Sequence, residues 1–383
     1  MNYFSSDFKL GILGGGQLGK MLCEAASAWD WKTAVLDSSK DFPAGKIAHQ
    51  FTEGDFTRYE DVMAFGKNVD VVTIEIEKVN LEALIELEAM GKIVHPSPAA
   101  LGIIRDKAKQ KEFFLEQGLP VAEQILFDHK ADVLKGLQEG LIKIPFVQKV
   151  RSGGYDGRGV AIIRNEGDLP LLLEGKCLVE PLVDIETEVS VIAARNANGE
   201  IKTFPPVAMA FHPEANLVEY LYCPSGLGPA LELEATQIAQ AAIESLEISG
   251  LLAVELFLTT DGDWMINEVA PRPHNSGHHT IECCSVSQFQ QHLLSICNLP
   301  LIDPELLQPG VMVNLLGEEG YTGPVKYVGI EQALRLGSVY VHLYGKTITK
   351  PFRKMGHLTV SNRSVSRAIK TANFIKDQIK VIA

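Results

Sequence analysis

The stretch LAVELFLTTDGDWMINEVA, running from Leu252 to Ala270, consists of two β-rich runs that reverse at Asp261-Gly262. An Asp-Gly step between apolar runs is a strong short-range hairpin signal and predicts a two-residue type I′ turn. Centred on that step, the ladder opposes Glu255 to Glu268 on one face, with side chains about 5 Å apart. Like charges so placed destabilise a hairpin, and burial would force one of them to protonate. A divalent cation between them removes the conflict. Magnesium fits best, because it takes one or two carboxylates together with substrate phosphates; a solvated acidic pair is the alternative. Strict alternation points Asn267 to the other face.

At 383 residues the chain exceeds one ordinary core and suggests two or three lobes. A first lobe, residues 1–103, reads as a parallel α/β unit: strand FKLGILG, glycine turn GGQLG, a helix, strand KTAVLD, and further strands in DVVTIEIE and KIVHPS. The segment IIRDKAKQKEFFLEQGLP predicts one amphipathic linking helix that stops at Gly118 and Pro120. It opens a second, smaller lobe, 104–183, with two β segments around the turn in KVRSGGYDGRGV. A third lobe, 184–383, begins with a hairpin at the Asn198-Gly199 turn.

A net charge of -13 argues against wholesale binding to nucleic acid or anionic lipid. Between Glu331 and Asp377, however, every charged residue is basic, including Lys346, Arg353 and Lys354, which fits a local site for a small phosphate ester or a solvated basic face. The six cysteines lack CxxC or zinc-like spacing, and no apolar run approaches a membrane span, so a cytoplasmic protein with reduced thiols is expected.

Gly14 to Gly19 fit G-x-G-x-x-G, and Asp37 ends the next strand, which invites a dinucleotide reading; the same turn also packs sheets without a cofactor. Alternation puts Thr73, Glu75 and Glu77 on one strand face at the ligand-binding end of such a sheet. The loop containing Gly153, Gly154, Tyr155, Asp156 and Gly157 follows Lys149 and suits a lid over phosphates. Beyond Glu268, the side chains of Arg272, His274 and Asn275 can donate to an oxyanion, while His278 and His279 lack the HExxH frame of a zinc site.

Taken in order, GGGQLGKM, TIEIE, KVRSGGYDGRG, LVEPLV, the Glu255/Glu268 pair, INEVAPRPHNSGHHT and GKTITKPFRKMGH resemble the 5-(carboxyamino)imidazole ribonucleotide synthetases, ATP-grasp carboxylases of purine synthesis. The resemblance implies a mixed α/β and α+β ATP-grasp fold with a Rossmann-like first domain and a small lid. It implies a homodimer that joins ATP, bicarbonate and aminoimidazole ribonucleotide through carboxyphosphate. By motif, Lys107 and Lys149 would contact ATP phosphates, Glu180 adenine and Glu188 the ribose, with Asn267 beside the magnesium ligands Glu255 and Glu268. Arg272, His274 and Asn275 would meet bicarbonate under Tyr155 and Asp156. Gly16, Gln17, Leu18 and Glu75, with His212 nearby, would cradle the ribonucleotide, whose phosphate would meet Lys346 and Arg353. The KTITKPFRK turn carries one extra residue against the family pattern. A formate-using ATP-grasp ligase and an NAD-dependent dehydrogenase are the alternatives.

Overall fold

The computed structural model describes residues 1–154, 159–211 and 218–383. Strands β1 (Lys9–Leu13), β2 (Lys32–Asp37), β3 (Gln50–Glu53), β4 (Val71–Ile74) and β5 (Ile93–His95) form a parallel sheet in the order β3-β2-β1-β4-β5. Leu10, Ile12, Val35, Leu36, Val71 and Val72 are completely buried, as strands covered on both faces require. Helices α1 (Gln17–Ser27), α2 (Tyr59–Gly66) and α3 (Leu81–Ala89) supply the crossovers. β4 stops at Ile74, so alternation does not carry through Glu75 and Glu77; both leave the sheet at its C-terminal edge, where such sheets bind ligands.

The linking segment is two helices rather than one, α4 (Pro98–Ile104) and α5 (Lys107–Glu116). Asp106 breaks it. Its carboxylate accepts from Ala108 N and Lys109 N as the cap of α5, and it holds Arg151 through Nε at 3.0 Å and a second guanidinium nitrogen at 2.5 Å. A short acidic side chain competes well for free helix-end amides, and that preference overrides continuous amphipathicity here.

The small lobe is a four-stranded antiparallel sheet ordered β6 (Ile125–Phe127), β9 (Cys177–Pro181), β7 (Phe146–Val150), β8 (Val160–Ile163), backed by α6 (Lys130–Gln138). The remaining main strands join one large antiparallel sheet: β10 (Ile185–Arg195), β11 (Ile201–Thr203), β12 (Val207–Phe211), β13 (Val218–Cys223), β14 (Gly250–Thr259), β15 (Trp264–Ala270), β16 (Gly310–Leu316), β19 (Val339–Leu343) and β21 (Lys354–Ser361). The minor strands β17 (Gly323–Pro324) and β18 (Lys326–Val328) pair with β20 (Ile348–Thr349) and β22 (Lys380–Ile382). Helix α7 (Pro229–Ser245) covers β10 and β14, and α11 (Val365–Gln378) covers β16 and β21; α8 (Thr280–Cys283), α9 (Gln288–Ile296) and α10 (Ile330–Leu334) complete the lobe. Phe289, Leu293 and Ile296 of α9 share one buried cluster with Leu18 and Leu22 of α1, so the first and third lobes meet through a common apolar core. All six cysteines are free and buried. Among the described residues, no helix is long and apolar enough to cross a membrane.

The β14/β15 turn departs from the two-residue expectation. Gly262 N donates to Thr259 O, Thr259 N donates to Asp263 O, and only Gly262 of the turn has positive φ, at 89°. The loop is therefore three residues, Thr260 to Gly262, ending in a left-handed glycine. Its extra residue shifts the register by one next to the turn. A bulge at Asn267 restores it, and Glu255 pairs with Glu268 after all.

Candidate active site

A cleft opens between the small sheet and the edge of the large one. Val147, Val160 and Ile162 from one side and Leu182, Phe257 and Met265 from the other form an apolar slot. It leads to a polar floor of Lys107, Lys111, Lys149, Glu180, Glu188, Glu255, Asn267 and Glu268. A slot for a planar ring that continues into lysines and acids has the polarity of a nucleotide with its counter-cation.

The bulge shapes that floor. It inserts Asn267 as an unpaired residue between Ile266, which packs in the core, and Glu268, so Asn267 and Glu268 both face the cleft. This corrects the expectation from alternation. Lys149 Nζ sits 2.9 Å from Asn267 Oδ1 and 3.1 Å from Glu180 Oε2, while Lys111 Nζ lies 2.9 Å from Glu180 Oε1. The Glu180 carboxylate is thus committed to two lysines, while Pro181 to Val183 after it help line the apolar slot.

Lys107 forms an ion pair with Glu268. Burial favours the neutral amine of Lys107, but Glu268, with Glu255 and Glu180, outweighs it and holds the ammonium above its ordinary range. Burial likewise opposes the Glu268 carboxylate, yet Lys107 keeps it ionised and lowers its pKa. Glu255 has no comparable partner: burial, then Glu268 and Glu188, push its carboxyl upward. Glu188 is raised to about 7, mainly by burial. The floor therefore carries more acid than its lysines neutralise, and the electrostatic conflict read from the sequence is present in the fold.

Past β15, His274 Nε2 lies 3.6 Å from Glu255 Oε1, and its Nδ1 is 2.9 Å from Ser276 Oγ, which in turn is 2.7 Å from Ser190 Oγ. Asn275 opens the short turn that follows. Arg272 Nε reaches back to Glu77 at 2.9 Å and links this segment to the first lobe. His278 and His279 are buried, and burial holds both imidazoles below the usual range. His278 stacks on His357 at 4.5 Å, and His357 on His342 at 4.4 Å.

In the first lobe, Gly16 N and Gly19 N donate to the two oxygens of Glu75, and Gly15 N donates to Asp37. The amides that would bind a dinucleotide pyrophosphate are taken by the chain's own carboxylates, and the dehydrogenase reading falls. Gln17 and Leu18 begin α1 beside them.

At the basic end, Lys346 donates to Lys354 O at 2.7 Å and lies 5.6 Å from the Tyr344 ring centroid. Arg353 turns to the rim and donates to Ile348 O at 2.7 Å. The next residue, Lys354, acts electrostatically on both Glu255 and His278. Sequence reasoning missed Lys354 in this role and missed Lys111, although the spacing of Lys107 and Lys111 on one helix face was available as a signal. Gly153 and Gly154 end the described segment before the gap, with Gly154 lining the cleft, whereas Tyr155, Asp156, Gly157 and His212 lie outside the described residues.

The chain matches the ribonucleotide synthetase preATP-grasp domain over residues 8–105, the ATP-grasp domain over 112–289 and the phosphoribosylaminoimidazole carboxylase C-terminal domain over 310–371. It is 37% identical to N5-carboxyaminoimidazole ribonucleotide synthase of Bacillus subtilis (strain 168), across 91% of this chain and 90% of that protein. The crystal structure of N5-carboxyaminoimidazole ribonucleotide synthetase from Thermotoga maritima superposes with a TM-score of 0.89 at 42% identity, covering 98% of this chain and 99% of that one. The Aspergillus clavatus N5-carboxyaminoimidazole synthase, solved with ADP and 5-aminoimidazole ribonucleotide, has a TM-score of 0.87 at 32% identity, covering 97% and 99%. With the glycine loop filled, the acid pair in register and all three lobes matched, the chain belongs to the N5-carboxyaminoimidazole ribonucleotide synthase family of ATP-grasp enzymes.

Proposed function

We infer that the protein carboxylates 5-aminoimidazole ribonucleotide with bicarbonate at the expense of ATP, giving N5-carboxyaminoimidazole ribonucleotide, ADP and phosphate. The observation that carries this reading is the Glu255/Glu268 pair, opposed in the ladder beside Lys107 and Lys149 and continuous with His274 and Arg272. Bicarbonate is a poor electrophile. Its oxygen attacks the γ-phosphorus, ADP leaves, and the amine nitrogen then bonds to the activated carbon as phosphate departs and the amine gives up a proton.

The residues present fit magnesium: two carboxylates and an amide oxygen are hard donors, and burial, with Glu268 and Glu188 beside it, raises the Glu255 carboxyl more than Lys107 and Lys354 lower it. Glu255 and Glu268 would hold the ion, which when bound neutralises developing charge on the phosphate oxygens. Lys149, anchored by Asn267 and Glu180, and Lys107 are placed along the same floor for the phosphates. The apolar slot takes adenine, and Glu188 is the acceptor for the ribose hydroxyls. His274, oriented by Ser276, with Asn275 and Arg272, contacts bicarbonate; the family resemblance adds Tyr155 and Asp156, which lie outside the described residues. Gly16, Gln17, Leu18 and Glu75 face the ribonucleotide, a role the family resemblance extends to His212, which lies outside the described residues, and Lys346 with Lys354 and the rim residue Arg353 receives its phosphate. The family resemblance also supports a homodimer in the cytoplasm, and a light-scattering mass of one chain would remove the dimer from the reading.

The test is a co-substrate panel read by phosphate release. Turnover is expected only when ATP, bicarbonate and aminoimidazole ribonucleotide are all present; equal turnover with formate and glycinamide ribonucleotide would reassign the enzyme to the formate-using ligases.

A further inference from the structure

Glu180 lies near the end of β9, where the apolar slot meets the polar floor, and its two carboxylate oxygens take different lysines. Lys111 Nζ lies 2.9 Å from Oε1 and Lys149 Nζ 3.1 Å from Oε2, with all three side chains no more than 9% exposed. Apart from Lys111, Oε1 has no hydrogen-bond partner among the described residues. Burial pulls the Lys111 ammonium below its ordinary range, and Glu180 opposes that. A buried ion pair adds little stability compared with apolar side chains of the same volume, whereas removing one member leaves the other with the full cost of desolvation. A second lysine on one buried carboxylate is therefore best explained by what it does to the first. An ammonium has three N–H donors. On Lys149, Glu180 Oε2 and Asn267 Oδ1 take two of them, which leaves one for a phosphate on the floor. Lys111 stands one turn beyond Lys107 on α5, at the spacing that sets both along one helix face.

We propose that Lys111 is a positioning residue that neutralises Glu180 Oε1 and thereby keeps the carboxylate from drawing Lys149 off the phosphates. Without Lys111, the uncompensated oxygen attracts the ammonium already on its neighbour, and Lys149 moves to bridge both oxygens with its third N–H turned away from the floor. Phosphoryl transfer depends on charge placed on the phosphate oxygens, so a displacement of about 1 Å costs about 10²-fold in rate while adenine keeps its slot. The inference rests on the ATP cleft proposed above and adds to it a residue that acts on the phosphates only through Lys149.

Phosphate release with ATP, bicarbonate and aminoimidazole ribonucleotide tests it on the wild type, Lys111→Met, and Lys111→Met combined with Glu180→Gln, alongside calorimetric titration with adenosine. Lys111→Met should lower kcat about 10²-fold and leave adenosine affinity within about threefold of the wild type. The double variant removes the pull together with its counterion, so its kcat should recover to within about tenfold of the wild type. A Lys111→Met kcat equal to the wild type overturns the proposal. So does a double variant no faster than the single one, which would put Lys111 on the phosphates itself, and so does a loss of adenosine affinity as large as the loss of kcat, which would make the slot depend on Lys111. If Lys111→Met does not fold, the double variant decides, because its buried charges are removed together; a kcat about 10²-fold below the wild type then overturns the proposal. A wild type that neither releases phosphate nor shifts its Tm with ATP sinks the reading of the cleft, whereas a wild type that does both while the variants depart from these values sinks only the role of Lys111.

Discussion

Glu188 and Glu255 are carboxyls whose native pKa lies above the unfolded value, near 4.3 for glutamate, because burial and neighbouring acids disfavour the charged form. Between that value and about 7 the native Glu188 binds more protons than the unfolded chain, so stability falls as pH rises through the interval and the full cost is present above it. Glu188→Gln should therefore raise the Tm of the nucleotide-free protein at pH 8 and leave it nearly unchanged at pH 4.5. The gain should be about 1 kcal/mol, discounted because the side chain faces the cleft. An equal gain at both pH values would contradict the assignment. Glu255→Gln should likewise stabilise the empty protein at pH 8 while cutting ATP turnover about 10²- to 10³-fold, as expected for loss of a group acting on transition-state charge; steady-state phosphate release measures it. Stability and function pull in opposite directions at this residue.

At the scale of elements, the bulge at Asn267 and the break at Asp106 are the two devices that a regular hairpin and a regular helix would lack. Deleting Asn267 should make the β14/β15 ladder regular, keep Glu268 opposite Glu255 and remove the anchor of Lys149. We expect a folded protein whose KM for ATP rises about tenfold, a loss of one good charge-assisted hydrogen bond; an unaltered KM would show that Asn267 does not position Lys149. Asp106→Ala removes the cap of α5 and the partner of Arg151 together. It should cost about 1–2 kcal/mol in denaturant unfolding, and it should raise KM as well, since Lys107 is the first residue of the capped helix.

For the whole molecule, the α1/α9 contact decides whether the ribonucleotide and nucleotide sites keep one geometry. Phe289→Ala empties a fully enclosed position in the cluster shared by the first and third lobes and should cost about 3–5 kcal/mol. Because the ATP cleft lies between the second and third lobes, ADP binding should survive at reduced temperature while the KM for aminoimidazole ribonucleotide rises; equal loss of both would show that the lobes do not act as separate bodies. Much of this organisation was legible in the chain. The parallel first sheet, the Asn-Gly hairpin and the paired strands β7 and β8 follow from alternation and turn chemistry, which act over a few residues. The Glu255/Glu268 pairing was legible too, but through two compensating departures: a turn one residue longer than read and a one-residue bulge at Asn267. Local sequence determined which residue types face which way along each strand and where each element turns. Only the tertiary structure decided which lysine neutralises which acid, that Lys354 rather than Arg353 looks inward, and that Asp37 and Glu75 close the glycine loop. Those outcomes depend on charges brought together from distant parts of the chain, and no short-range pattern records the distance between them.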